Sequence, residues 1–409
     1  GEDVEKVIIK EINDPSMNAL TSASGKFELP NLPFGKNYKL QPTKNDDLLN
    51  GLSTMDLVLI QKFILGLIQL KSPYQQIAAD LDRSGNVSTL DLIKLRKLIL
   101  GKDTDLGTLN NSWRFIDADY IFPAGVNPLK APFPEAKTIE DFKSKFAQAN
   151  FIGIKVGDLN SSATPNSLII QTPRSTYGEL QLQIPNRKFD YGETFTIEIK
   201  AESQEDVAGF QFTLDFDERI LEFIDYAAGD VPGITDENFA LIDKNKGILT
   251  ASWNVMREKS WPLAATPILR LTFRAKKASE IIYALNMAPQ PTVPEAYTHE
   301  GEMLDLNLIF KEGANPIGKG GYHLYQNYPN PFYQHTMIGF TIPQSQEVKI
   351  TITDITGRIV WETKGIYPKG LNEVPFQREG FWSDGLYLYK LESGSFTDVK
   401  RMILSSGHK

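Results

Sequence analysis

Cysteine is absent from all 409 residues. That absence excludes disulfides, thiol nucleophiles and cysteine-ligated zinc or iron–sulfur centres. It fits a bacterial extracellular chain stabilised by calcium and sandwich cores, and equally the many cytosolic proteins that lack cysteine. Histidine is scarce: His299, His323, His335 and His408 are scattered and make no metal-ligand spacing of the HExxH kind. A GxSxG nucleophile elbow is also missing. No run of about 18 apolar residues occurs, so no membrane-spanning helix is expected. The net charge is −8, and no basic stripe interleaves with aromatics, so nucleic-acid binding is not expected. The chain opens Gly1-Glu2-Asp3, without initiator Met or signal peptide, and reads as a mature or truncated product.

What is present is modular. A chain of this length exceeds one core, and two to four domains are expected. Residues 1–44 hold three strand-like runs: Val7-Ile8-Ile9, Gly25-Lys26-Phe27-Glu28-Leu29 and Asn37-Tyr38-Lys39-Leu40. Three short strands do not make a stable sandwich alone, so they read as part of a sandwich that begins upstream. The run GKFELPNLPFGKNYKL resembles the end of a carboxypeptidase-regulatory-like domain, which implies a prealbumin-type fold.

Residues 45–160 contain an internal repeat. LSTMDLVLIQKFILG (52–66) aligns with VSTLDLIKLRKLILG (87–101). After Asp56 and Asp91 the apolar residues recur at helical spacing, and Gly66 and Gly101 read as C-terminal helix caps. Ahead of the second helix lies DLDRSGNVSTLD (80–91). Oxygen donors fall at loop positions 1, 3, 5, 9 and 12, as Asp80, Asp82, Ser84, Ser88 and Asp91, with the Asn86 carbonyl at position 7. That spacing suits a calcium ion with six or seven oxygen ligands. The first copy, NDDLLNGLSTMD (45–56), places Asn45 at position 1, Asp47 at 3, Gly51 at 7, Ser53 at 9 and Asp56 at 12. Leu49 at position 5 offers no side-chain ligand, and Asn50 or Asp46 is the substitute. No helix is expected before either loop.

Two calcium loops, each with only an exiting helix and Asp at position 12, resemble a dockerin domain. The resemblance implies calcium at 80–91 and a second ion at 45–56. It also assigns Thr54-Met55 and Thr89-Leu90 to recognition of a cohesin, the alternative being helix starts that pack internally. Beyond the repeat, Trp113–Ile116 and Phe151–Val156 read as strands, and Thr138–Gln148 as a short helix. Asp158-Leu159-Asn160-Ser161-Ser162 echoes the first half of a calcium loop but has no acid eleven residues after Asp158, and reads as a polar turn closing the module.

Residues 161–177 read as a linker, and 178–310 as an all-β domain. The segments FDYGETFTIEIKAE, AGFQFTLDFDERILEFIDY, GILTASWN and ILRLTFRAK resemble a cohesin domain, in the wider family shared with carbohydrate-binding modules. Trp253 and Trp261 are candidates for sugar stacking, against the ordinary role of aromatics in a sandwich core. Glu300 and Glu302 read as solvated hairpin residues. Residues 311–321 read as a Gly-rich linker; Gly318, Gly320 and Gly321 lack the context of a phosphate loop.

Residues 322–409 form a second β unit. Tyr328-Pro329-Asn330-Pro331-Phe332, Asp354-Ile355-Thr356-Gly357-Arg358, Asp384-Gly385-Leu386-Tyr387 and Lys400-Arg401-Met402-Ile403-Leu404 occur in order. They closely resemble the type A C-terminal sorting domain of the type IX secretion system of Bacteroidetes-type bacteria; Tyr333 departs from its usual Asn. The resemblance implies export across the outer membrane, to the surface or medium, and contact with the translocon and shuttle proteins.

The whole reads as a multidomain, mainly β chain of sandwiches with one small helical calcium module. The expected function is a non-catalytic scaffold, adhesion or binding region of an exported protein, with a cohesin- or dockerin-type partner or intramolecular packing. The alternative is the accessory region of a large extracellular hydrolase, with its catalytic domain upstream and carbohydrate binding here.

Overall fold

In a computed structural model of the chain, the repeat becomes a pair of packed helices and most of the remaining regular structure is antiparallel sheet. The structure describes residues 2–107, 110–143, 147–166, 177–255, 263–312, 315–317, 322–325, 327, 330–342, 344–368, 370–378, 382–394 and 396–405. Two compact units emerge, Gly1–Thr172 and Pro173–Lys409.

In the first unit the strands are β1 (Ile8–Glu11), β2 (Asn18–Leu20), β3 (Tyr38–Thr43), β4 (Trp113–Asp117), β5 (Lys137–Ile139) and β6 (Phe151–Lys155). The helices are α1 (Thr54–Ile64), α2 (Pro73–Ala79) and α3 (Thr89–Ile99). Helices α1 and α3 start identically. Ser53 and Ser88 cap them, and the N3 residues Asp56 and Asp91 reach back to the cap backbone N–H. Both stop at a glycine in the left-handed region, Gly66 (φ +72°) and Gly101 (φ +70°). Their apolar faces meet in one core built on Leu57, Ile60, Leu95, Leu98 and Ile99, with Leu81 and Leu159 beneath the loops.

Four expectations change here. Helix α2 enters the 80–91 loop directly, capped by Ser72 with Pro73 in its first turn, so the second copy is helix–loop–helix. Residues 138–148 do not form a helix among the described positions; Lys137–Ile139 is instead a strand, drawn out by pairing with β3. Residues 25–29 form no strand, and Asn18–Leu20 pairs with β1 in their place. The order β2-β1-β3-β5 therefore makes one sheet from both sides of the 44/45 boundary. Its apolar face packs on the β4–β6 pair through Val7, Ile9, Leu40, Trp113 and Phe115.

In the second unit the strands are β7 (Gly178–Pro185), β8 (Lys188–Phe189), β9 (Thr194–Glu202), β10 (Val207–Phe216), β11 (Leu221–Ala228), β12 (Phe239–Asp243), β13 (Ile248–Asn254), β14 (Thr266–Ala275), β15 (Ser279–Glu280), β16 (Leu285–Ala288), β17 (Glu295–Thr298), β18 (Met303–Glu312) and β19 (Asn315–Ile317). The pairing path is β11-β14-β9-β7-β18-β17-β10-β13-β12. Strand β7 joins the two faces, antiparallel to β9 and parallel to β18. Alternate residues of both faces meet inside, where Phe210, Phe212, Phe216, Phe239 and Phe273 form the sandwich core. The 311–321 stretch is not wholly linker, because β19 pairs back on β18.

The chain then forms β20 (His323–Leu324), β21 (His335–Ile342), β22 (Gln346–Asp354), β23 (Ile359–Tyr367), β24 (Gly370–Gln377), β25 (Gly385–Ser393) and β26 (Phe396–Leu404). They make two sheets, β20-β21-β24 and β23-β22-β25-β26. The sheets close on Phe340, Ile350, Phe376, Tyr389 and Met402.

Leu95 is fully buried between the two helical copies. We expect Leu95→Ala to cost about 2–5 kcal/mol in chemical denaturation followed by circular dichroism, while the exposed Ile359→Ala stays within about 0.5 kcal/mol.

Candidate metal centre

Among the described residues, one group of three acidic side chains converges: Asp80, Asp82 and Asp91, with carboxylate oxygens within 4.8 Å of one another. Two oxygens on opposite sides of one calcium ion, at about 2.4 Å each, stand about that far apart. The loop is shaped by its own backbone. Ser84 N–H donates to Asp80 Oδ1 and Asp82 Oδ1, both at 2.9 Å, and Gly85 N–H donates to Asp80 Oδ2 at 3.0 Å. Ser88 N–H donates to Asp91 Oδ2 at 2.8 Å, and Asp82 N–H reaches Asp91 Oδ1 at 3.3 Å. Ser84 Oγ–H points at the Asn86 carbonyl, 3.1 Å away. Gly85 takes a φ of +80° that a side chain would strain.

Burial pushes the Asp80 and Asp91 carboxyls up, since a lone charge is poorly solvated there. For Asp82 the cost of burial is outweighed by hydrogen bonds from Ser84, which hold its carboxyl below the usual range. Three carboxylates in one loop repel one another without a cation, and a divalent ion turns that repulsion into cohesion.

Asn45 and Asn50, expected in the first loop, turn to other partners. Asn45 Oδ1 accepts from Ser112 N–H at 2.8 Å. Asn50 pairs with the backbone of Thr164 in both directions at 2.8 Å. The Gly51 carbonyl accepts from Ser162 Oγ–H at 3.0 Å. The contiguous reading with Asn45 and Asp47 beside Asp56 is corrected accordingly: Asp56 Oδ1 faces Leu159 and Asn160, whose N–H groups lie at 2.7 Å and 3.4 Å. Burial first, and then the neighbouring Asp158 charge, pushes the Asp56 carboxyl up to about 8.

Thr54 is fully buried, whereas Thr89 is exposed and Leu90 is 63% exposed. The two helix starts therefore differ in what they offer a partner. Trp253 is a core residue, 2% exposed and 5.1 Å from the Phe210 ring, so sugar stacking does not fit it; Trp261 and His408 lie outside the described residues.

The sorting motifs are folded into strand ends and turns. Asn330 Oδ1 accepts from Ile403 N–H at 2.8 Å, tying the Asn330-Pro331 segment to β26. Asp354 accepts from Thr356 N–H at 2.9 Å and from Arg358 Nε–H at 3.0 Å across the turn at Gly357 (φ +85°). Gly385 opens β25, and Tyr387 Oη–H donates to the Ser383 carbonyl at 2.8 Å. Lys400 and Arg401 lie along β26. Pro329 lies outside the described residues.

Comparison with known families agrees with both β units. Residues 180–303 match the cohesin domain family. Residues 326–405 match the secretion system C-terminal sorting domain family. Among solved structures, the chain is similar to a type I cohesin–dockerin complex from Clostridium thermocellum, at 17% identity over 34% of this chain and 94% of that one, TM-score 0.27. It is also similar to the seventh ScaB type I cohesin from Pseudobacteroides cellulosolvens, at 16% identity over 32% and 88%, TM-score 0.25. A third is the type II cohesin dyad of the ScaA scaffoldin of Acetivibrio cellulolyticus, at 13% identity over 43% and 61%, TM-score 0.27. No curated protein matches the chain. The protein is thus mainly β and carries a cohesin domain followed by a type IX sorting domain, two non-catalytic domain types. The sorting domain marks it for export to the outer surface or the medium. No helix among the described residues is long and apolar enough to cross a membrane.

The buried carboxylates set a pH dependence. Their folded pKa values lie above the unfolded value of about 4, so the folded state holds more protons and stability is lost as pH rises. The window runs from about 4 upward through the raised values of Asp80 and Asp91, and to about 8 for Asp56. In chelator-treated protein the thermal midpoint of the first unit should fall between pH 5 and pH 8, and millimolar calcium should flatten that fall. Calorimetry showing the same slope with and without calcium would count against cation binding at these carboxylates.

Proposed function

We propose that this chain is a non-catalytic, exported scaffold region. Its cohesin domain docks a dockerin-type partner, its first unit is a calcium-stabilised dockerin-like module, and its sorting domain is the address read by the type IX translocon and shuttle proteins. The observation that carries the reading is the order of the two family matches, a cohesin domain at 180–303 and a sorting domain at 326–405. The cohesin family match is what supports a dockerin-type ligand for this domain.

The calcium part rests on the 80–91 loop. Its three carboxylates converge, its donors occupy the positions a calcium loop requires, and the position-12 acid, Asp91, lies in the first turn of helix α3. The role of the ion is structural, because Asp80 at the end of α2 and Asp91 in the first turn of α3 are both buried and the first unit needs their charges neutralised. The exposed Thr89-Leu90 edge of α3 is the surface this module offers to a cohesin.

Two measurements test the reading. Deleting residues 322–409 should leave the protein inside the outer membrane, as fractionation would show; unchanged export sinks the address. Asp91→Ala should abolish calcium stabilisation at its loop, with a loss of about 2.7 kcal/mol when calcium stands at a hundred times its Kd. Equal calcium responses in the variant and the parent would remove the metal reading.

A further inference from the structure

We propose a second calcium site, built from a loop that the chain assembles from two distant segments: Asp158, Asn160 and Ser162 from one, and the Gly51 carbonyl, Ser53 and Asp56 from the other. The inference deepens the calcium reading of the 80–91 loop and takes the choice of ion from it.

The argument is a position-by-position match to that loop. Ser162 N–H donates to Asp158 Oδ1 and Asn160 Oδ1, both at 3.0 Å, as Ser84 N–H does to Asp80 and Asp82. Ala163 N–H donates to Asp158 Oδ2 at 2.9 Å, as Gly85 N–H does to Asp80 Oδ2. Ser161 and Arg83 share the left-handed backbone, φ +60° and +56°. Leu159 and Leu81 are both buried in the same core. Thus 158–163 reproduces positions 1 to 6.

Positions 7 to 12 come from the entry to α1. Gly51, Ser53 and Asp56 align with Asn86, Ser88 and Asp91 in the sequence repeat. Ser53 N–H donates to Asp56 Oδ2 at 2.9 Å, and Ser162 Oγ–H reaches the Gly51 carbonyl at 3.0 Å where Ser84 Oγ–H reaches that of Asn86 at 3.1 Å. The seam falls between positions 6 and 7, where Ala163 lies against Gly51. A Cβ on Gly51 would stand 2.5 Å from Ala163 Cα, so no larger residue fits at the crossing. The paired Asn50 and Thr164 fasten it.

Charge is a separate reason for an ion. Asp56 is wholly buried and Asp158 is 9% exposed. No lysine or arginine among the described residues forms an ion pair with either. Lys155, whose charge acts on Asp158, sends its ammonium to the Leu48 carbonyl at 2.7 Å. A buried carboxylate without an ion pair is costly, and a cation among these six oxygen donors offsets it. Asn160 stands where the contiguous loop has Asp82, so the split site carries one charge fewer and should bind calcium more weakly.

Calorimetric titration of the full chain with calcium, after chelator treatment, tests this. Two equivalents are expected for the parent. Asp158→Ala should leave one, Asp91→Ala should leave the other, and the double variant none. Asn160→Asp, which restores the third carboxylate, should tighten the weaker equivalent by about tenfold. A single equivalent in the parent that Asp91→Ala removes would overturn the split site and spare the 80–91 loop. A single equivalent that only Asp158→Ala removes would do the reverse. Unaltered affinities in Asn160→Asp would also overturn the split site, without relying on a variant that must survive a lost charge.

Discussion

A carboxylate buried in the first turn of a helix is the constraint on which the first unit depends. Asp56 and Asp91 each face two ways: one oxygen closes the capping box of its helix, and the other holds the backbone of a second segment. One side chain therefore fixes where a helix begins and what lies beneath it. Among the described residues the same carboxylates form no salt bridge, so the fold places acidic groups where solvent is excluded. Burial accordingly raises the carboxyls of both Asp56 and Asp91.

The second unit depends on apolar burial instead. Its sandwich core is filled chiefly by leucine and phenylalanine, and surface ion pairs such as Arg274–Glu222 contribute little. The sorting motifs follow the same economy. Asp354, Gly357 and Arg358 form one turn, and the Asn330 amide ties its segment to the last strand. Residues conspicuous in the sequence are there to hold a shape, and the shape is what a secretion machine can read.

Legibility in the sequence followed the range of the interactions. Helices α1 and α3, their glycine stops and the donors of 80–91 were visible because each is set within a dozen residues. The cohesin strands were visible because period-two alternation is local. Helix α2 was missed although Ser72 and Pro73 are ordinary start signals, because seven residues carry little periodicity. Thr138–Gln148 reads as helix from its capping pattern, and pairing of Lys137–Ile139 with β3 overrides that preference. The partner of Asp56 was illegible for a plainer reason: nothing local joins residue 56 to residue 158. The half-loop at 158–162 was visible but looked incomplete, because its other half precedes it in the chain.

The neighbourhood of residues 3–5 and 165–166 bears on mechanics. Glu5 N–H bonds the Pro165 carbonyl, and the Asn166 amide bonds the Asp3 carbonyl. The polypeptide thus enters and leaves the first unit side by side. If flow or a tethered partner pulls on the chain, the tension passes between these adjacent points and largely bypasses the core. The first elements loaded are the entry–exit hydrogen bonds and the junction of 158–164 with the start of α1. That junction acts as a latch: while it holds, the roughly hundred residues between its halves stay slack and folded, and when it gives, their length is released as a shock absorber.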